Sequence, residues 1–157
     1  MADYKIANDL LSKQLSWVIA ADNKVPPIFA INTAMLGVIA ALSKGIENWS
    51  ISHAIVSVLA ALPLVGSIIS LALATFPRLH GPKGSNIYFG GIITKNLEAY
   101  VSEMKKTKDD DLLEDMYRQV YRNAEIAQAK FTFIKWAMIQ TFSSIPFWLI
   151  SIWKLYC

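Results

Sequence analysis

Three stretches of this chain carry no Asp, Glu, Lys or Arg: Val25–Ser43, Asn48–Pro77 and Trp136–Trp153. Nothing else limits its folding so strongly. A bilayer core needs roughly 20 predominantly apolar residues as helix, with a range of about 17–25, and each stretch meets that length. Apolar residues make up 54% of the 157 and charged residues only 17%, against about 45–50% and about 25% in soluble domains. This composition excludes a disordered chain and an ordinary soluble enzyme. A net charge of +3 is too small to imply nucleic acid as a partner, since such binding rests on clustered cations. The expected fold is an all-α membrane protein with the lipid bilayer as its main partner. Its transmembrane helices are expected at 25–43, 50–76 and 136–153. The third is diluted by Gln140, Thr141, Ser143, Ser144 and Pro146, and its Trp136, Trp148, Trp153 and Tyr156 suit interfacial anchoring.

The charged residues give the topology. Lys44–Glu47 is too short for anything but a tight hairpin between the first two spans, and 78–135 is the long connection. Of 15 Lys and Arg, only Lys44 and Lys154 fall outside the N-terminal segment and the 78–135 region. By the positive-inside rule both of those regions are cytoplasmic, and Cys157 lies outside. Asp3, Lys5, Asp9 and Lys13 interrupt any early apolar core, so no cleavable signal peptide is expected. Cys157 is the sole cysteine. It can form no intramolecular disulfide, and it does not stand where a C-terminal lipidation box needs it. The Asn48-Trp49-Ser50 triplet, at the membrane edge, reads as a coincidental glycosylation match.

Residues 1–24 read as a cytosolic amphipathic helix. Ile6, Leu10, Trp17 and Ala21 form its stripe, widened by Leu11, Leu15 and Val18. Pro26 and Pro27 either start the first span or kink it. His80–Asn86 is turn-rich. Ile87–Ile93 is a short strand or a membrane-surface segment, and Thr94 can cap a helix carrying Leu97, Tyr100, Val101 and Met104. After a solvated break at Lys105–Asp111, a helix carries Leu113, Tyr117, Val120, Ala124, Ala127, Phe131, Ile134 and Met138 at alternating spacings of 4 and 3. This seam makes 78–135 a cytosolic helical region whose last helix is continuous with the third span.

No catalytic or metal-binding residue is expected. His53 and His80 fall on opposite sides of the membrane, so they cannot cooperate. Gly81-Pro82-Lys83-Gly84-Ser85 lacks the spacing and the preceding strand of a phosphate loop. Asp109, Asp110 and Asp111 point in different directions on a helix. On the long helix, Glu114, Asp115, Arg118, Arg122 and Glu125 lie opposite the seam as a solvated face with a Glu114–Arg118 pair. Between the faces runs a flank of Gln119, Asn123 and Lys130. It is either a packing edge or a polar pocket, in which amides read the edge of a base and a lysine neutralises a phosphate. Asp22, Lys24, Arg78 and Lys130 all fall next to span ends at one depth, where Asp22 and Lys130 can pair. Together Asp22, Lys24, Arg78, Gln119, Asn123 and Lys130 form the candidate ligand-binding set. Asn32, inside the first span, serves helix packing or lines a pore.

At these residues the sequence resembles the transmembrane effectors of Pycsar antiphage defence. The matching pieces are Ala21-Asp22-Asn23-Lys24, Asn32, Pro77, Tyr88-Phe89-Gly90-Gly91, and Gln119-Val120-Tyr121 through Lys130-Phe131. Their order among the spans covers nearly the whole chain. Pro26-Pro27 departs from the family pattern, where small or aliphatic residues are more usual. The resemblance implies a multi-pass effector of the bacterial inner membrane with a cytoplasmic N-terminus. A neighbouring cyclase would supply a cyclic pyrimidine mononucleotide, cyclic CMP or cyclic UMP, as activating ligand. No cofactor is implied. The effector would then impair the membrane by homo-oligomerisation or pore opening, stopping the host before phage mature. The rival readings are a constitutive scaffold subunit of a membrane complex with no nucleotide ligand, and a lipid-modifying enzyme. The latter needs a polar constellation at membrane depth that the sequence does not offer.

Overall fold

The computed structural model describes residues 2–43 and 50–156. Its regular elements are all helices: α1 Ala2–Asp22, α2 Val25–Ser43, α3 Ile51–Thr75, α4 Phe89–Ile92, α5 Leu97–Lys106 and α6 Asp109–Tyr156. The expected hairpin connection Lys44–Glu47, the Asn48-Trp49 pair and Cys157 lie outside the described residues. The chain divides into two compact units. One comprises residues 1–20 and 77–129, the other residues 21–76 and 130–157, so α1 and α6 contribute to both.

Local chemistry sets the helix ends. Lys24 N–H donates to the Ala21 carbonyl (3.1 Å) in the turn that closes α1. Pro26 and Pro27 then occupy the first turn of α2. A helix has no use for an N–H there and proline's fixed φ is already helical, so the pair starts the helix and does not kink it. Ser50 and His53 form a reciprocal capping box at α3: Ser50 Oγ accepts from His53 N–H and His53 Nδ1 accepts from Ser50 N–H, 3.4 Å each. Asn96, not Thr94, caps α5. Its Oδ1 accepts from Ala99 N–H at 2.7 Å, while Thr94 Oγ1 donates back to the Gly91 carbonyl. The strand or surface segment expected at 87–93 is instead the single turn α4. Lacking side chains, Gly90 and Gly91 let that turn close against the Tyr88 ring and the Ser85 carbonyl. Three aspartates open α6, where carboxylates complement the helix dipole, and the helix runs unbroken to Tyr156.

In the first unit, α1 turns a different face inward from the one its large apolar residues mark. Ala7 is fully buried and Leu11 and Val18 half-buried, whereas Ile6, Leu10 and Trp17 are exposed by 52%, 37% and 49%. The inner face is the one carrying short Ala7 and the Tyr4 hydroxyl, which donates to the Asp109 carbonyl at 2.6 Å. Burial, and then Asp109 and Asp110, hold the Tyr4 phenol above its ordinary pKa. This bond ties the first turn of α1 to the start of α6.

In the second unit, α2 packs on α3. Met35, Ile39, Ala60 and Leu64 form one apolar cluster, flanked by Leu36, Ile145 and Trp148. Ala21, Ala74 and Ile134 form another, flanked by Val25, Ile28, Phe131 and Phe133. Of the seam read along α6, Ala127 and Ile134 are buried and Leu113, Val120, Ala124 and Phe131 half-buried, but Tyr117 and Met138 are exposed (41% each), and Lys130, Ala137, Thr141, Ser144 and Ser151 are buried as well. Helices approach closely where side chains are small, and hydroxyls and amides on such faces bond across. Asn32, Ser67 and Thr141 close a ring across α2, α3 and α6. Asn32 Nδ2 donates to Ser67 Oγ (2.6 Å), Thr141 Oγ1 donates to Asn32 Oδ1 (2.9 Å), and the two hydroxyls lie 3.0 Å apart. Asn32 is wholly buried and in this structure serves helix packing. Ser57 and Ser151 form a second hydroxyl pair at 3.0 Å. Among the described residues, two helical stretches, within 3–43 and 51–75, are long and apolar enough to cross a membrane.

Candidate functional site

The first unit holds a cavity of about 410 Å³ between α1, the loop after α3, and α6. Leu11, Leu15, Ile87 and Ile126 form its apolar wall; Arg78, His80 and Arg122 bring cationic or titratable groups; Tyr88 and Phe89 bring aromatic rings; Gln119 and Asn123 bring amides. Of the expected ligand set, the structure thus gathers Arg78, Gln119 and Asn123 around one cavity.

The loop keeps its shape through Ser85, which is 3% exposed. Its Oγ donates to Asp115 Oδ2 (3.0 Å) and accepts from the N–H groups of Ile87 (3.2 Å) and Tyr88 (2.9 Å) and from Gln119 Nε2 (3.0 Å). Asp115 Oδ2 also accepts from Asn86 N–H at 2.8 Å. Arg122 Nε donates to the His80 carbonyl at 2.7 Å, and the Tyr88 hydroxyl donates to the Leu79 carbonyl. Gly84 adopts φ +72°, the left-handed region that favours glycine. A Cβ at Gly81 would lie 2.2 Å from the Tyr88 ring. The His80–Gly91 loop is therefore a wound structure that presents Tyr88 and Phe89, whose ring centroids lie 4.6 Å apart. Lys95 Nζ extends this network to Asn86 Oδ1 and Glu103 Oε2, 2.6 Å each. That contact first, then Asn86, holds the Glu103 carboxyl below its usual range against a smaller opposing effect of desolvation.

The other three expected residues belong to the second unit. Lys130 Nζ donates to Asp22 Oδ1 in an ion pair, with the lysine side chain almost enclosed (11% exposed) and the aspartate side chain more open (46%). Lys24 Nζ stands 5.0 Å from the centre of the Phe131 ring, a cation–π distance. The Asp22–Lys130 pairing read from the sequence is present, and neither residue lines the cavity.

Residues 6–155 match the family described as PycTM, Pycsar effector protein domain. The chain belongs to the Pycsar effector family. No curated protein and no solved structure matches it. The match spans both units of this Pycsar effector, so the cavity and the helix ring both lie within the family domain.

Sequence reasoning missed Ser85, Asp115 and Arg122 as organisers of the effector's cavity. Asp115 and Arg122 read as solvated because they lie opposite the apolar seam. In the structure Asp115 and Arg122 are half-buried, because the loop folds over that side of α6. One signal was available: a loop holding several glycines and a serine needs side-chain partners for its backbone N–H groups. Glu114 and Arg118 do form the expected surface pair, at 2.5 Å.

Proposed function

We propose that this Pycsar effector is a three-span inner-membrane protein that binds a cyclic pyrimidine mononucleotide in the 78–126 cavity and then impairs the membrane. The cavity carries the reading. Its size suits a small ligand. It combines guanidinium groups, which pair with a phosphate in bidentate fashion, with aromatic rings on which a base can stack and amides that can read the base edge. The resemblance that names the ligand class supplies cyclic CMP or cyclic UMP. The same reading gives the chain no catalytic step of its own.

The third span rests on how α6 distributes its side chains. Its polar residues dilute the stretch, yet Thr141, Ser144 and Ser151 are buried, while Trp136, Ile139, Phe142, Leu149, Ile150 and Trp153 are exposed. Large apolar groups outside and hydroxyls inside suit a lipid surround. The Asp22–Lys130 pair would act as a latch at the inner end of the bundle. Released by the ligand-bound state, it would let α6 shift toward an open or oligomeric form. A ligand can drive that change only by its differential affinity for the two states.

The test is titration of the detergent-solubilised full chain with cyclic CMP, cyclic UMP and cyclic AMP. A pyrimidine ligand should bind. Asn123→Ala and Arg78→Gln should each weaken it tenfold or more, while Arg118→Ala, away from the cavity, should leave it unchanged. Binding of none of the three, with the protein folded, would replace this reading with the scaffold one.

A further inference from the structure

We infer that the cavity of the first unit selects cytosine over uracil, because Gln119 and Asn123 are both held with the amide oxygen, and not the nitrogen, left for the ligand. The inference rests on the nucleotide reading above and names the base. Which way an amide points is set by its hydrogen-bond partners, and here each partner allows one choice. Ser85 Oγ has a single hydrogen, which goes to Asp115 Oδ2 at 3.0 Å, a carboxylate oxygen that only accepts. Toward Gln119 the hydroxyl therefore has only a lone pair to offer, and Nε2 is the atom that meets it, at 3.0 Å. Asn123 is held in the same way. Its Nδ2 donates to the Gln119 carbonyl at 2.9 Å, and a carbonyl has no hydrogen to give. Turning either amide over would set oxygen against oxygen.

Both nitrogens are thus engaged by the protein, and among the described residues neither amide oxygen takes part in a hydrogen bond. Gln119 and Asn123 both line the cavity. They stand four residues apart on α6, where side chains are neighbours on one helix face. That wall of the cavity is a pair of acceptors, and what satisfies a pair of acceptors is a group with two hydrogens. Cytosine carries one in its exocyclic N4 amine. Uracil has the O4 acceptor at that position, and its one ring N–H lies between two carbonyls. Uracil can meet one of the two oxygens only by setting a carbonyl against the other. A buried acceptor left without a donor loses its hydration with nothing in return. The phosphate plays no part in the choice, since both nucleotides carry the same one. Ser85 and Asp115 act through Gln119 as positioning residues: the carboxylate takes the hydroxyl hydrogen, and the hydroxyl then fixes the amide.

The experiment is titration of the detergent-solubilised full chain with cyclic CMP, cyclic UMP, cyclic 2′-deoxy-CMP and the cyclic nucleotide of 2-pyrimidinone, which is cytosine without its amine. Cyclic CMP should bind at least about tenfold more tightly than cyclic UMP or the pyrimidinone, the penalty of one unmet buried acceptor, and removal of the 2′-hydroxyl should leave that preference in place. Gln119→Met should shrink the preference severalfold. Asp115→Ala should do the same with the Gln119 side chain still present, because the freed Ser85 hydrogen then lets the amide turn over; a merely structural role for Asp115 would weaken both nucleotides alike and leave their ratio unchanged. Equal binding of cyclic CMP and cyclic UMP, or tighter binding of cyclic UMP, overturns the selection and leaves the nucleotide reading standing. So does a preference that survives in both Gln119→Met and Asp115→Ala, or one that disappears with the 2′-hydroxyl, which would give the oxygens to the ribose. Binding of none of the four, with the protein folded, overturns the nucleotide reading and the selection with it.

Discussion

The two units of this effector use polar side chains in opposite ways. In the first, polar groups hold a loop in shape: one serine hydroxyl, a carboxylate and an arginine satisfy the backbone of residues 80–88. In the second, polar groups hold helices to one another, through the Asn32–Ser67–Thr141 ring and the Ser57–Ser151 pair. The first unit depends on the path of its backbone, where glycine is irreplaceable. The second depends on the matching of side chains between elements that are already regular, where a glycine can be idle. Glycine substitution is therefore the sharpest way to separate them.

Gly91→Ala should have the largest effect. The new Cβ would lie 2.3 Å from the Ser85 carbonyl oxygen, and a backbone atom cannot swing aside as a side chain can. A cost of about 3 kcal/mol, at the upper end for overpacking, is expected. It should appear as rapid proteolytic cutting within 80–92. In the second unit, Gly37→Ala meets nothing within 4 Å and should gain up to about 1 kcal/mol from helix propensity. Equal thermal stability of the two variants in detergent would erase the contrast.

The same contrast explains what could be read from the sequence. Residues 25–43 were legible as a helix because a run without charges leaves few alternatives, and α2 covers them. That one helix runs from the soluble region into the 136–153 stretch was legible from the spacing over 113–138, and α6 carries it from Asp109 to Tyr156. Which side faced inward was legible in part. On α6 the seam's Ala127 and Ile134 are buried while Tyr117 and Met138 are exposed, and on α1 Ala21 of the stripe is buried while Ile6, Leu10 and Trp17 are exposed. The cavity was half legible. Gln119 and Asn123 stood out as polar residues flanking an apolar seam, and Arg78 as a cation next to a span end. Tyr88, Phe89 and Arg122 depend on how the loop winds, and that is set by contacts far apart in sequence, such as Ser85 with Asp115.

The Asp22–Lys130 pair offers the next largest effect, and its two halves should differ. Removing one partner of a buried pair costs about 3–5 kcal/mol because a charge is left stranded. Here only the lysine is enclosed, at 11% exposure against 46% for the aspartate. Asp22→Ala strands the enclosed ammonium and should cost about 2 kcal/mol, discounted because water reaches the aspartate side. Lys130→Met leaves an open carboxylate and should cost under about 1 kcal/mol. Thermal unfolding in detergent reads both. Lys130→Met should also raise basal membrane leakage if the pair is a latch. Equal destabilisation by the two variants would mean that both ends are hydrated.

Thr141→Val should have a smaller effect. It keeps the shape of the side chain and removes the donor to Asn32 Oδ1. Interhelical bonds of this kind average about 0.6 kcal/mol in a bilayer, with a maximum near 1.7, so a loss of about 1 kcal/mol is expected. Asn32→Leu in the Thr141→Val background removes the stranded amide as well and should recover part of the loss, because two apolar partners cost less than one unpaired polar group. A further loss in the double variant would show that the ring is needed for register, beyond satisfying its own members.

The smallest effect should come from acid, and it should appear in the first unit alone. Glu103 is held below its ordinary carboxylate pKa chiefly by its hydrogen bond to Lys95, with Asn86 and the Lys95 charge adding to it and desolvation opposing. The folded state therefore binds the Glu103 proton less readily than the unfolded state. Stability rises with pH wherever the unfolded chain holds more protons. The contribution is complete above the unfolded carboxylate value of about 4.3 and is lost as pH falls from there through the lower folded value. Because Lys95 also donates to Asn86, protonating Glu103 loosens α5 from the loop without dismantling the Ser85 contacts. Hydrogen exchange at the α5 amides should speed up below about pH 4 in wild type, and that acid dependence should vanish in Glu103→Gln. Amides of α2 and α3, which carry no carboxylate, should show no such change. An equal acid response in α3 would mean that the two units do not titrate independently.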